Sequence, residues 1–526
     1  MLRSRWGVRV ATFAIAISLG AVGSANAQQK VLRVAPHADP KVLDGYQTTA
    51  TITAMHMGAV YDTLFSWDEA MSPKPQMVEN YTVSPDKLKY TLTLRPGLKF
   101  HDGTPVTTRD VVPSVKRMLA LETMGKAMAG FFASVDAVDD RTFTLTMKEP
   151  FGFTEFILGG SNNLVGIMRE KEATADYKAP LSEIIGSGPF VFNKAEWVPG
   201  SKVVYEKNKN YVPRSEAPSA FAGGKVVKLD RVEYTVIPDQ ATAFAALKKG
   251  EIDFLDGASL DLIPSLEGNP DIELGVIYTL NWQGFLRPNH LQPPFNNVKA
   301  RQALALMVDQ AEYGAAAYGS EKYRMNCFAM WLCGGPFGTS AGSEPYQKQD
   351  IEAAKRLLKE SGYNGEKILL MGAADNPSLN ALTLVTASNL KKIGMDVDLQ
   401  MMDWGNVVTR RASKAPPSQG GWHIFHTGHG AVTAASPLSN IVTPTNCEGA
   451  WFGWPCDEAA EKLRQQFIRE TDPAKQKQIA EALHKRLWEV IPYIPLTQYE
   501  QLFPWRKNIK GVLKAPTPVW WNIEKM

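Results

Sequence analysis

Between Tyr90 and Val112 the chain reads YTLTLRPGLKFHDGTPVTTRDVV, and this stretch restricts the possible fold more than any other. Tyr90, Leu92 and Leu94 alternate with Thr91, Thr93 and Arg95, which predicts a strand with one apolar and one polar face. Pro96-Gly97 stops the strand and His101-Asp102-Gly103 makes a second turn. Thr107, with Asp110 three residues on, then offers a capping box for a helix. Val111, Val112, Val115, Met118 and Leu119 repeat at helical spacing, and Pro113 inside that pattern predicts a bend. A rigid strand, turn and helix therefore stands early in the chain.

Ahead of it, Arg3, Arg5 and Arg9 precede an apolar run from Val10 to Val22 that closes on Ala25-Asn26-Ala27. This is the pattern of a secretory signal peptide, 1–27, cleaved before Gln28. The run falls short of the roughly 20 apolar residues that a membrane span needs, and nothing after Ala27 reaches that length. No Cys follows the cleavage site, so no lipid anchor is expected. Taking the leader's three arginines from the 57 basic residues leaves 54 against 54 acidic ones. A near-neutral chain of this kind offers no footprint for nucleic acid, and its length allows more than one core.

Cys327, Cys333, Cys447 and Cys456 are the four cysteines. Neither Cys-x-x-Cys nor a neighbouring His pair is present, which argues against zinc. Of the three possible pairings, the local one, 327 with 333 and 447 with 456, is favoured for an oxidising compartment.

Along the rest of the chain, LRVAPH from Leu32 reads as an edge strand and the run from Met55 to Leu64 as an apolar helix. Phe143, Leu145 and Met147 alternate after the turn Asp139-Asp140-Arg141. Val232 to Ile237 is a strand, and Asp239 caps a helix that runs to Leu247. Later come helix Ile351 to Ser361, strand Lys367 to Met371, helix Leu379 to Ile393, strand Val397 to Met401, a short helix after Trp404, and strand Trp422 to His426. That βαβαβ order predicts parallel strands with right-handed crossovers.

The run LRPGLKFHDGTPVTTRDVV, with VSPDKLKYTLTL before it, resembles the signature of the peptide and nickel class of extracellular solute-binding proteins, the receptors of ABC importers. Further words agree: Gly186-Ser187-Gly188-Pro189-Phe190 with Glu196-Trp197-Val198-Pro199-Gly200 and YEKNKNYV, then AALKKGEID, then PPFNNVKARQALALMVDQ. The resemblance covers nearly the whole chain after Ala27. It implies an α/β, two-lobed periplasmic-binding-protein fold with hinge crossings near Leu280 and Leu496. Lobe I would comprise 28–280 with 497–526, including an inserted β-rich subdomain at about 66–185, and lobe II 281–496. It also implies a monomeric periplasmic receptor that captures a short peptide or peptide-like molecule between closing lobes. The receptor would hand its ligand to a membrane permease with ATPase subunits, with no catalysis and no cofactor. A non-peptide solute, a metal chelate or haem is the alternative, and a secreted hydrolase a remote one.

Ligands of such folds sit in the crevice between lobes, where strand ends converge. Asn281, Trp282, Trp404 and Trp422 lie at predicted strand ends, and the resemblance places Trp404 and Trp422 on the pocket wall. Arg411, or its neighbour Arg410, loosely matches an arginine that meets a ligand carboxylate. His423, His426 and His429 would share one face of a helix and could hold a metal or haem. On a strand only His426 and a loop residue, His429, could converge, and His426 is expected to meet the ligand. In peptide-binding relatives a Gly-Trp pair is followed, three residues after the Trp, by an Asp that pairs with the peptide ammonium. Here Gly421-Trp422 is followed by Phe425, and no Asp or Glu occurs from Trp422 to Asn446. Burying an unpaired ammonium costs several kcal/mol, so the expected ligand lacks a free amine or is anchored differently. Gly338 to Gly342 fits G-x-S-x-G, but without the preceding strand and following helix of a hydrolase nucleophile.

Overall fold

The computed structural model describes Leu2 and residues 29–526, apart from 41, 49, 161–165, 178, 259, 261, 279, 280, 375 and 403. Apart from Leu2, the expected signal peptide with its cleavage site, and Leu280 at the expected first crossing, lie outside the described residues. Strand Lys89–Leu94 buries Tyr90, Leu92 and Leu94 and joins Val78–Val83, Thr142–Met147 and Phe132–Ala137 in an antiparallel sheet. Helix Thr108–Leu121 follows behind a closed capping box, in which the Thr107 N–H donates to Asp110 at 2.9 Å. The helix runs on through Pro113 and buries Val111, Val115, Met118 and Leu119.

The sequence words fit against one another. The His101 N–H donates to the Gly186 carbonyl at 2.8 Å, and the Gly188 N–H donates to the carbonyl of Val60, the last residue of helix Thr51–Val60, at 2.9 Å. A Cβ on Gly186 would lie 1.9 Å from the Val60 oxygen, so only glycine allows this approach. That docking also ends the helix at Val60, short of the expected Leu64.

Two larger sheets carry the lobes. The first has the order Ile272–Val276, Leu502–Arg506, Phe254–Leu255, Val31–Ala35, Arg231–Thr235, Lys202–Lys207, Phe190–Phe192. Val31–Ala35 is thus central, with parallel neighbours on both sides, rather than an edge. Its polar Arg33 is tolerated there because Asp253 of the neighbouring segment holds the guanidinium at 2.8 Å. Gln240–Lys249 packs behind, capped by Asp239 as expected.

The second sheet has the order Arg324–Met325, Ile494–Tyr499, Trp282–Pro288, Ile424–Gly430, Ile368–Ala373, Val397–Met402. Its last three strands are parallel, as the βαβαβ pattern predicts, while Trp282–Pro288 runs antiparallel to both its neighbours. The expected return near Leu496 falls inside Ile494–Tyr499, which pairs with Trp282–Pro288, and the observed link to the first sheet is Glu500-Gln501. The other link spans residues 277–281. Cys327 is bonded to Cys333 and Cys447 to Cys456, the local pairing.

The β-rich subdomain of the first lobe also touches the second lobe. The Gly152 N–H donates to the Ile468 carbonyl at 3.1 Å, Arg469 meets Glu149 at 3.0 Å, and the rings of Phe153 and Phe467 lie 5.2 Å apart.

Candidate ligand site at the carboxyl edge of the second sheet

Ala373 and Met402 lie in register at the ends of neighbouring parallel strands, and Gly430 ends the third. At Gly430 the antiparallel strand begins with Trp282, which also pairs with Tyr499 at the end of its own strand. Both links to the first sheet leave from this edge, so it faces the other lobe, where ligands of α/β sheets settle.

Strand Val397–Met402 leads to helix Trp404–Arg410, and the half-buried Arg411 comes directly after it. Its guanidinium lies over three rings: Phe452 at 4.9 Å, Trp451 at 5.1 Å and Trp404 at 5.6 Å. The Arg411 Nε is buried with no hydrogen-bond partner among the described residues. Burial pulls its pKa below the usual arginine range, with no carboxylate among the described residues opposing that shift. Arg410 is occupied elsewhere, donating to Gln400 at 2.6 Å and to the Gly421 carbonyl at 2.9 Å.

Arg287 builds the ring box. Fully buried, it donates to the carbonyls of Phe452 at 2.5 Å, Val442 and Pro492 at 2.9 Å, and Trp451 at 3.0 Å. Burial lowers its pKa to about 9, and the four carbonyls take the place of an anion. The Cys447–Cys456 bridge closes the same loop. Sequence reasoning passed over Arg287, Trp451 and Phe452; the signal was GAWFGWP, an aromatic run enclosed by two cysteines.

The expected site residues divide. Trp404 and Arg411 come together. Trp422 does not reach the surface: it is 0% exposed, meets Phe425 edge-on at 4.9 Å, and donates its indole N–H to the Arg411 carbonyl at 3.1 Å. It lies beneath Arg411 and positions it instead of walling the pocket. Phe425 is equally buried, 5.8 Å from Trp451. His426 is corrected to a core histidine, with Nε2 2.8 Å from Thr386 Oγ1 and Nδ1 3.3 Å from Thr383 Oγ1, both on helix Pro377–Lys392. With no charged neighbour among the described residues, burial pushes it down to about 3.

His423 accepts the Leu369 N–H on Nδ1 at 2.9 Å. His429 is in strand Ile424–Gly430, not in a loop, and three residues from His426 it points to the opposite face. The three histidines therefore do not converge, and no group of three or more His, Cys, Asp or Glu among the described residues is placed to hold a metal. Trp282 is half-buried at the edge; its ring fills the space of a side chain at Gly430, where a Cβ would meet it at 2.8 Å. Its indole N–H is another buried donor without a partner among the described residues. Asn281 stands half-buried beside it. Gly338 to Gly342 is loop, and the Ser340 carbonyl accepts from the Ser343 hydroxyl at 2.6 Å.

A cavity of about 270 Å³ borders Trp451, with Leu438, Ile441 and Pro444 on one side and Met124 and Ala127 of helix Thr123–Ala129 on the other. The subdomain thus reaches the rim of the site. The arrangement presents donors and rings, and it can take an acceptor-rich, partly apolar solute.

The profile of a family described as bacterial extracellular solute-binding proteins, family 5 Middle, matches residues 72–447. A probable peptide ABC transporter periplasmic-binding protein of Sinorhizobium fredii strain NGR234 is 39% identical over 511 residues, covering 95% of this chain and 94% of its own. A glutathione-binding protein of Escherichia coli O1:K1 is 26% identical over 520 residues, 96% of each chain. Among solved structures, the binding protein AgaA in complex with agropinic acid from A. tumefaciens R10 matches with a TM-score of 0.76 at 23% identity, over 94% of this chain and 99% of the other. A dipeptide-binding protein from Pseudoalteromonas sp. SM9913 in complex with Met-Leu gives 0.77 at 20% identity, over 94% and 100%.

Proposed function

This chain belongs to family 5 of the bacterial extracellular solute-binding proteins, and from that premise we propose that it captures a short peptide or peptide-like solute by its carboxylate. It acts as the periplasmic receptor of an ABC importer and delivers the solute to the permease and its ATPase subunits. No helix among the described residues is long and apolar enough to cross a membrane. The lobes that close are the first sheet with its subdomain and tail, up to residue 276 and from 502, and the second sheet with its helices, 282–499.

The observation that carries the reading is Arg411, a half-buried cation among Trp404, Trp451 and Phe452 with no acid beside it among the described residues. A buried guanidinium calls for an anion, and a planar carboxylate fits its fork. The rings then cover the apolar part of the solute. Peptide transport by the 39%-identical relative supports a peptide, and glutathione binding by the more distant one supports a carboxylate-rich peptide derivative. Binding without turnover is the proposed role, and Ser340 takes no part in it.

Mass spectrometry of the solute extracted from natively purified protein tests the proposal. The expected species carries at least one carboxylate and one amide. A cationic or metal-chelate solute would refute it.

A further inference from the structure

On the face of strand Ile424–Gly430 that looks away from His426, His429 lies directly opposite Gln283 of strand Trp282–Pro288, so the two side chains stand together. His429 is 8% exposed, and neither of its ring nitrogens has a hydrogen-bond partner among the described residues. Gln283 is fully buried. Its Nε2 donates to the Cys327 carbonyl at 3.1 Å, which fixes the amide plane and leaves Oε1 without a donor. Two adjacent side chains thus present one imidazole donor, one imidazole acceptor and one carboxamide acceptor with nothing to meet them. Buried polar groups are rarely left so, because each orphan costs free energy.

The pair is continuous with the Arg411 box. His429 packs against Phe285 with ring centroids 4.9 Å apart, Phe285 meets Trp451 at 6.2 Å, and Trp451 carries Arg411 at 5.1 Å. No cation or carboxylate among the described residues touches His429; the other ring against it is Tyr493, 5.8 Å away, whose hydroxyl is already taken by the Met330 carbonyl. Burial keeps the imidazole neutral, with its pKa lowered to about 3. An uncharged ring of this kind reads an uncharged partner.

We propose that His429, with Gln283 beside it, is a specificity-determining contact for an uncharged group of the solute that both donates and accepts, such as a peptide amide or a hydroxyl. The inference rests on the reading that Arg411 holds the solute's carboxylate. It adds the chemistry at the other end of the ring chain: the solute has an amide or hydroxyl there and not an ammonium, since neither Gln283 nor His429 offers a negative charge.

The test uses calorimetry of the full-length mature protein with glutathione, the free-acid dipeptides Ala-Phe, Phe-Ala and Ala-Ala, and the N-acetyl forms of these dipeptides. His429→Phe keeps the ring volume and removes both polar atoms, and it should weaken the best-bound probe about 10- to 100-fold. Its melting temperature should hold or rise, since an orphaned polar ring becomes an apolar one. His429→Gln, which keeps a donor and an acceptor, should stay within about threefold of wild type. Affinity of His429→Phe equal to wild type would mean that His429 is only a core ring and would overturn the inference; so would His429→Gln binding as poorly as His429→Phe. Probe binding that Arg411→Met weakens and His429→Phe leaves unchanged would overturn this inference alone, whereas binding that Arg411→Met leaves unchanged would overturn the carboxylate reading beneath it.

Discussion

Lys225 and Asp62 are both fully buried and 2.8 Å apart, and the Tyr211 hydroxyl also donates to Asp62, at 3.0 Å. Removing one partner of such a pair strands the other, so Lys225→Met should lower stability by about 3–5 kcal/mol in urea unfolding. An unchanged midpoint would mean that Asp62 finds another partner. Trp422→Ala opens a hole in a closed core under Arg411 and should cost about 3–5 kcal/mol of stability before any effect on binding is considered. Full stability with weakened binding would instead restore Trp422 to the pocket wall. Residue chemistry was only partly legible in the sequence. Arg411 could be suspected from its position after Trp404, but the rings that cover it, Trp451 and Phe452, come from a loop about forty residues on. His426 was misplaced because Thr383 and Thr386, which satisfy it, lie about forty positions earlier on another element. His429 was misread because the strand starts and ends later than its apolar pattern suggests.

At the scale of elements, local signals served well wherever the determinant was local. The Thr107–Asp110 box, the Asp239 cap and the alternation of Tyr90, Leu92 and Leu94 all lie within a few residues of what they control. Thr107→Ala should therefore cost about 1 kcal/mol in thermal unfolding, and a neutral result would show that Asp110 alone holds the helix start. Sheet order was not local. Val31–Ala35 sits in the middle of its sheet because Asp253, more than two hundred residues on, neutralises Arg33. The Cys327–Cys333 loop shows a related dependence. Gln310 donates to the Cys327 carbonyl at 2.9 Å and accepts its N–H at 2.7 Å, while Gln498 accepts from the Cys333 N–H at 3.0 Å and donates to its carbonyl at 3.1 Å. Two glutamines from separate elements thus hold the loop to the sheet. The return link came a few residues later than expected because Ile494–Tyr499 completes its pairing with Trp282 before the chain leaves the sheet.

Across the whole molecule, burial lowers the pKa of seven of the eight histidines: His429, His426 and His56 to about 3, His423 and His101 to about 4, with His290 and His484 also lowered. His37 alone is raised, because Asp256 at 2.5 Å outweighs its burial. A histidine lowered in the fold binds its proton more readily once unfolded, so stability is full above about pH 6.5 and is lost as pH falls toward the folded values. The melting temperature should drop between pH 6.5 and 5 with net proton uptake on unfolding, which the His37 pair offsets only in part; a flat profile there would contradict the burial. The lobes meet at Gly152, where a Cβ would lie 2.0 Å from the Glu470 oxygen. Gly152→Val should therefore keep the protein more extended than wild type in small-angle scattering at saturating solute, and equal radii of gyration would remove Gly152 from the closure. The central claim is that a closing receptor holds its solute by a carboxylate on Arg411. Calorimetry with the free-acid and C-terminal amide forms of the best-bound peptide tests it most directly. The acid should bind at least about 30-fold more tightly than the amide, and Arg411→Met should erase that difference. Acid and amide binding alike to the wild-type protein would contradict it.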